Sequence, residues 1–162
     1  MMEANRILTK ISTQEDITLV TLNNIPSDMK LLCDIFDNFS RERVVLDMIS
    51  QTAPIGTNIS VSFTLTDDDL PRAIKIMGMF KADHPSLRCD VNPGNAKINF
   101  FGERMKDNSG VAAYVMRLFS DNNVMLKLIT TSDTDISCLL SKNDYDHICD
   151  VASSDLGIAI SE

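Results

Sequence analysis

An α+β fold in which one β-α-β-β-α-β unit is used twice is predicted by three observations. Short runs rich in β-branched residues alternate with stretches of helical periodicity along the whole chain. The apolar positions of residues 20–64 recur, in the same order, in residues 98–138. The main change of spacing between the copies falls at Pro54 and Gly56, a predicted loop, where changes of length are tolerated.

The elements follow in chain order. Arg6–Ser12 alternates apolar and polar residues and predicts a first strand, closed by a turn at Gln14–Asp16. Ile17–Leu22 is a β-branched strand, and Asn23–Asp28 a loop. Ser27 or Asp28 is suited to cap a helix over Met29–Arg41, with Leu32, Ile35, Phe36 and Phe39 on one stripe. Val44–Ser50 and Ile59–Leu65 form a hairpin, the second strand facing inward through Ile59, Val61, Phe63 and Leu65. Three acids, Asp67, Asp68 and Asp69, raise the question of a metal. A helix over Leu70–Phe80 explains them better, because acids offset the positive end of the helix dipole. Leu87–Val91 closes the first copy, and a turn at Asn92–Asn95 follows.

The plan then restarts: strand Lys97–Phe101, helix Gly110–Ser120, strands Val124–Thr130 and Asp135–Leu140, helix Asn143–Ser153. Val20 and Leu22 match Ile98 and Phe100. Leu31, Phe36, Phe39, Leu46, Met48 and Ile49 match Val111, Met116, Phe119, Leu126, Leu128 and Ile129. Val61 and Phe63 match Ile136 and Cys138. Each copy is thus a ferredoxin-like unit, an antiparallel four-stranded sheet with helices on one face. The first unit is placed at residues 14–92 and the second at 95–162. The second lacks a closing strand of its own, so Arg6–Ser12 is expected to cross over and complete it in an interlocked tandem. Leu156–Ile160 competes for that role.

The 162 residues suffice for one domain or two small ones. A net charge of −8 and a pI near 4.7 argue against nucleic acid and anionic membranes as partners. No apolar run reaches the ~18–20 residues of a membrane span, and the N-terminus has no secretory pattern. Cys33, Cys89, Cys138 and Cys149 are widely spaced; three sit within apolar helix or strand patterns, and these are expected to be buried thiols in a reducing, cytoplasmic setting. With only His84 and His147 beside them, no metal site or cofactor is expected. No nucleophile–base constellation supports catalysis, and the six glycines form no phosphate-binding loop.

Asn108-Ser109-Gly110-Val111 is the stretch best suited to a ligand. A loop opens there into a helix, whose free backbone N–H groups suit a small carboxylate.

The repeated order resembles a tandem pair of ACT domains and is similar to the C-terminal regulatory region of aspartate kinase. The carriers in the first copy are Val20-Thr21-Leu22, Ile25-Pro26, Ile35-Phe36, Asp47-Met48-Ile49, Gln51, Gly56, Ser62-Phe63-Thr64 and Asp69-Leu70. In the second they are Gly102, Met105, Gly110-Val111-Ala112-Ala113, Leu128-Ile129, Thr131-Ser132 and Ile136-Ser137. The resemblance implies a non-catalytic regulatory module that binds lysine, threonine or a related amino acid where ACT units pair. It also implies a homodimer and a partner kinase domain or subunit. The Lys-Phe-Gly-Gly-Thr stretch of the kinase half does not occur.

By the same resemblance, effector contacts fall on Ser27, Asp28, Met29, Gln51 and Ser60 in the first copy. In the second they fall on Asn108, Ser109, Gly110, Val111, Met125, Thr131 and Ser132. The family's Asp-x-Pro-Gly loop is altered to Ser27-Asp28-Met29-Lys30 in the first copy, whereas Gly110 is kept in the second. Lys30 stands where a glycine would allow close approach of a ligand. The competing expectation is an ACT pair kept for assembly, without a ligand.

Overall fold

The computed structural model describes residues 7–161. Arg6, where the first predicted strand opens, therefore lies outside the described residues, as does Glu162. The elements are β1 (Lys10–Pro26), α1 (Lys30–Arg41), β2 (Asp47–Gln51), β3 (Asn58–Thr66), α2 (Leu70–Asp83), β4 (Arg88–Phe101), α3 (Val111–Asp121), β5 (Leu128–Thr131), β6 (Asp135–Ser141), α4 (Lys142–Leu156) and β7 (Ile160–Ser161). The chain divides into two compact units, Asp16–Gly94 and Met1–Glu15 with Asn95–Glu162.

In the Asp16–Gly94 unit, β1 lies between β3 and β4, and β2 flanks β3. β1 and β3 run antiparallel with Val20 opposite Phe63 and Leu22 opposite Val61. These four side chains are fully buried, and α1 covers them with Leu31, Leu32, Ile35 and Phe39. Phe63 receives Phe36 and Phe39 edge-on, each with ring centroids 5.4 Å away. That geometry sets a positive ring edge against a negative face and adds to the burial. α2 closes the core through Ala73, Ile76 and Met77. The acids ahead of it form a 3-10 turn. Asp67 accepts from Thr18 Oγ1 and Gly94 N, and Asp69 from Thr66 Oγ1 and Arg72.

The second unit repeats this with β6 between β4 and β5. Ile98 and Phe100 of β4 lie opposite Cys138 and Ile136 of β6, beneath Val111, Val115 and Phe119 of α3. The N-terminal segment belongs to this unit. Thr9 N donates to Phe101 O at 2.8 Å, and Tyr145 Oη to Thr13 Oγ1 at 2.8 Å. Lys142 of α4 pairs with Glu15. β7 lies parallel to β1, Ile160 opposite Ile11, in contrast to the otherwise antiparallel pairings described. Both candidates for the missing strand, the N-terminal segment and the tail, thus join the same unit.

Four expectations need correcting. The predicted turns at Gln14–Asp16 and Asn92–Asn95 are strand interiors, because β1 and β4 run through them. Asp16 and Gly94 have positive φ, so single-residue irregularities stand where the sequence suggested reversals. Among the described residues, Ile7, Leu8 and Thr9 of the first predicted strand precede the observed one, which begins at Lys10. Cys33 is exposed, because it lies off the buried stripe of α1. The repeat also breaks in β2: Met48 has φ 46°, and register shifts between Asp47 and Ser50. Ile49 is consequently exposed, while its match Ile129 packs on the core of its unit.

Candidate functional site

The second unit holds an open cavity of about 330 Å³ at the mouth of α3. That is at the small end of the ~300–1,000 Å³ range of small-molecule sites. The loop after β4 supplies Met105, Lys106, Asn108 and Ser109; the start of α3 supplies Gly110, Val111 and Ala112; the β5–β6 turn supplies Thr131, Ser132 and Asp133, with Ile136 behind them.

Local chemistry explains how these parts are held. Gly110 is the N-cap of α3 with φ 96°, a conformation open to glycine at little cost, and a Cβ there would meet nothing within 4 Å. No side chain caps the helix, so its first N–H groups face the opening without a protein acceptor of that kind. The positive end of the helix dipole therefore favours an anion at the mouth. Asn108 donates through Nδ2 to Arg104 O at 2.6 Å, which leaves its side-chain oxygen as an acceptor. Ser132 Oγ accepts from Thr134 N and Asp135 N and donates to Asp135 Oδ2. Its hydroxyl shapes the turn, and Thr131 and Asp133 supply the remaining polar groups on that side. Met105, Val111 and Ile136 form an apolar wall.

Of the residues singled out in the second copy, Asn108, Ser109, Gly110, Val111, Thr131 and Ser132 come together here. Met125 does not; it is 76% exposed and lies before β5. Met105, Lys106, Ala112, Asp133 and Ile136 were not singled out as contacts. Adjacency to Thr131-Ser132 was the available signal for Asp133.

The first copy is arranged differently. Its helix starts one residue earlier relative to the repeat, and Met29, not Lys30, takes the left-handed position at φ 67°. Lys30 is therefore an ordinary helical residue. Asp28 Oδ1 accepts from Lys30 N at 3.2 Å and occupies an N–H at that mouth, while Ser27 N donates to Thr57 O. Ser60 lines a separate hollow of about 320 Å³ with Asn24, Thr52, Ile55, Asn58 and Ile59. Ser60 Oγ donates to Asn23 Oδ1 at 2.7 Å. Gln51 is exposed at the end of β2. Among the described residues, no three His, Cys, Asp or Glu side chains cluster as metal ligands, and no helix is long and apolar enough to cross a membrane.

The ACT-domain family model matches residues 98–153. Aspartokinase 2 of Bacillus subtilis is 27% identical over 143 residues, which is 88% of this chain and 35% of that protein. The chain thus spans about a third of the length of the curated relatives it matches. Aspartate kinase from Synechocystis superposes with a TM-score of 0.86 at 25% identity, over 96% of this chain and 28% of that one. The ligand-free regulatory subunit of aspartate kinase from Thermus thermophilus superposes with a TM-score of 0.82 at 18% identity, over 91% of this chain and 97% of that one. Residues 98–153 therefore match the ACT-domain model, the sequence is similar to part of the aspartokinases, and the fold is that of an aspartate kinase regulatory subunit.

Proposed function

We propose that the cavity at the mouth of α3 binds a free α-amino acid, lysine, threonine or a related end product, and that its occupancy regulates an aspartate kinase catalytic domain or subunit. The observation that carries this is the juxtaposition, in one small cavity, of an uncapped helix start and an acceptor-bearing rim. The effector's carboxylate suits the N–H groups of the helix start, and its ammonium suits Asn108 Oδ1, Thr131 and Asp133. Its side chain suits the wall of Met105, Val111 and Ile136. In the first copy Asp28 already takes up the Lys30 N–H at the helix start, which favours a role in assembly for that unit over the same mode of binding.

A thermal-shift and calorimetry screen of the chain against the amino acids, each at millimolar concentration, tests the reading. A ligand present at 100 times its Kd adds ~2.7 kcal/mol to stability. Ala112 is exposed in the first turn of α3, so Ala112→Asp keeps the fold and favours the helix while opposing a bound carboxylate. Binding to the parent and a loss of tenfold or more in A112D, about 1.4 kcal/mol, is the expected result. A well-folded chain that binds no amino acid overturns the reading in favour of an ACT pair kept for assembly.

A further inference from the structure

The cavity is joined to the N-terminal segment through Gly102. Gly102 follows the last residue of β4 and opens the loop that lines the cavity, with Met105 N donating to Gly102 O at 3.0 Å. Gly102 N donates to Thr134 O at 2.8 Å. Thr134 N in turn donates to Ser132 Oγ at 3.2 Å, within the turn that forms the opposite rim. Gly102 is thus bonded to both sides of the cavity. Its third neighbour is the backbone of Ile7: a Cβ on Gly102 would lie 2.2 Å from Ile7 O and 3.2 Å from Leu8 Cα. Ile7 and Leu8 are themselves buried in the core of this unit, and Thr9 N is tied to Phe101 O next door. Only a residue without a side chain lets the N-terminal backbone lie this close.

We propose that Gly102 is a positioning residue that couples occupancy of the α3 cavity to the seating of residues 7–13. This rests on the effector reading above and names its route of transmission. A ligand that draws the 105–112 loop and the 131–135 turn together shifts the Gly102 peptide, because both are bonded to it. The Ile7 backbone, in contact with that peptide, must follow or separate, since packed interiors deform little. The N-terminal segment is then more firmly seated in one ligation state than in the other, and by linkage its seating alters affinity for the ligand to the same degree.

Hydrogen–deuterium exchange of the full chain, with and without lysine or threonine at saturating concentration, tests the coupling. The expected result is slowed exchange in peptides covering 103–112 and 131–136, together with a change of about fivefold or more in residues 8–13, the low end of typical coupling. Protection of the cavity peptides with unchanged exchange at residues 8–13 overturns the coupling while leaving the effector reading intact. No thermal shift and no protection with any amino acid overturns the effector reading and this inference with it. Gly102→Ala gives a second readout: cavity protection by the ligand retained, but residues 8–13 exchanging fast in both states. Should that variant not fold, the parent comparison decides alone.

Discussion

Cys138 is fully buried in the core of the second unit, and burial pushes its thiol up to about 12. Cys149 of α4 is pushed up to about 11, by burial first, with Tyr145 opposing. In the unfolded chain both ionise near 9. Above about pH 9 the unfolded state therefore binds fewer protons than the folded one, and stability falls as pH rises, by up to about 1.4 kcal/mol per unit for each group. The loss continues until the folded pKa is passed, near 11 for Cys149 and near 12 for Cys138. Tyr114, raised by burial and then by the charge of Asp155, acts in the same direction above 10. Urea midpoints between about pH 8 and pH 10.5 should fall, and Cys138→Ala should flatten that slope despite a lower starting stability from its cavity. A slope unchanged in C138A would place the alkaline loss on other groups. The buried thiols were legible in the sequence because Cys138 alternates with Ile136 and Leu140 along a strand. Exposed Cys33 was misread because its apolar neighbours were weighed above its position off the Leu32–Ile35–Phe39 stripe.

At the scale of elements, the two helix starts run the same repeat in opposite states. Periodicity placed α1 and α3 within a residue or two, and the buried set Leu31, Ile35 and Phe39 matches Val111, Val115 and Phe119. What periodicity could not show was the backbone conformation at the mouth. Met29 holds the left-handed position without glycine, at a cost of ~1–2 kcal/mol, whereas Gly110 holds it freely. Met29→Gly should therefore raise stability by about 1 kcal/mol, and Gly110→Ala should lower it by about the same amount. In G110A the cost comes from φ alone, since the site has open space. Denaturant midpoints at unchanged m-value check both, and two changes of the same sign would refute the argument. The missed continuity of β1 and β4 has a similar origin. Asp16 and Gly94 look like turn residues, yet each positive φ is taken up inside a strand that runs on without reversing. The cavity rim was legible where it follows a helix start, at Asn108–Val111. It was not legible at Asp133 or Ile136, whose place depends on the pairing of Thr131 with Ile136 across the β5–β6 turn.

At the scale of the molecule, each unit carries its own core, and the chain corresponds to about a third of its curated relatives. The resemblance to tandem ACT domains implies pairing of two such chains, and charge would set the salt dependence of that pairing. Each chain carries a net charge of −8, so association opposes like charge with like. The apolar side chains at the surface, Val45, Ile49, Met116 and Met125 among them, supply attraction that salt does not screen. Raising ionic strength shortens the screening length from ~30 Å at 0.01 M to ~10 Å at 0.1 M. Repulsion between the copies then falls while apolar contact persists, so a homodimer should tighten with added salt. Sedimentation across that range should show the dimer fraction rising. A fraction that falls would mean that opposite charges hold the interface. A chain monomeric throughout would mean that this region does not pair on its own.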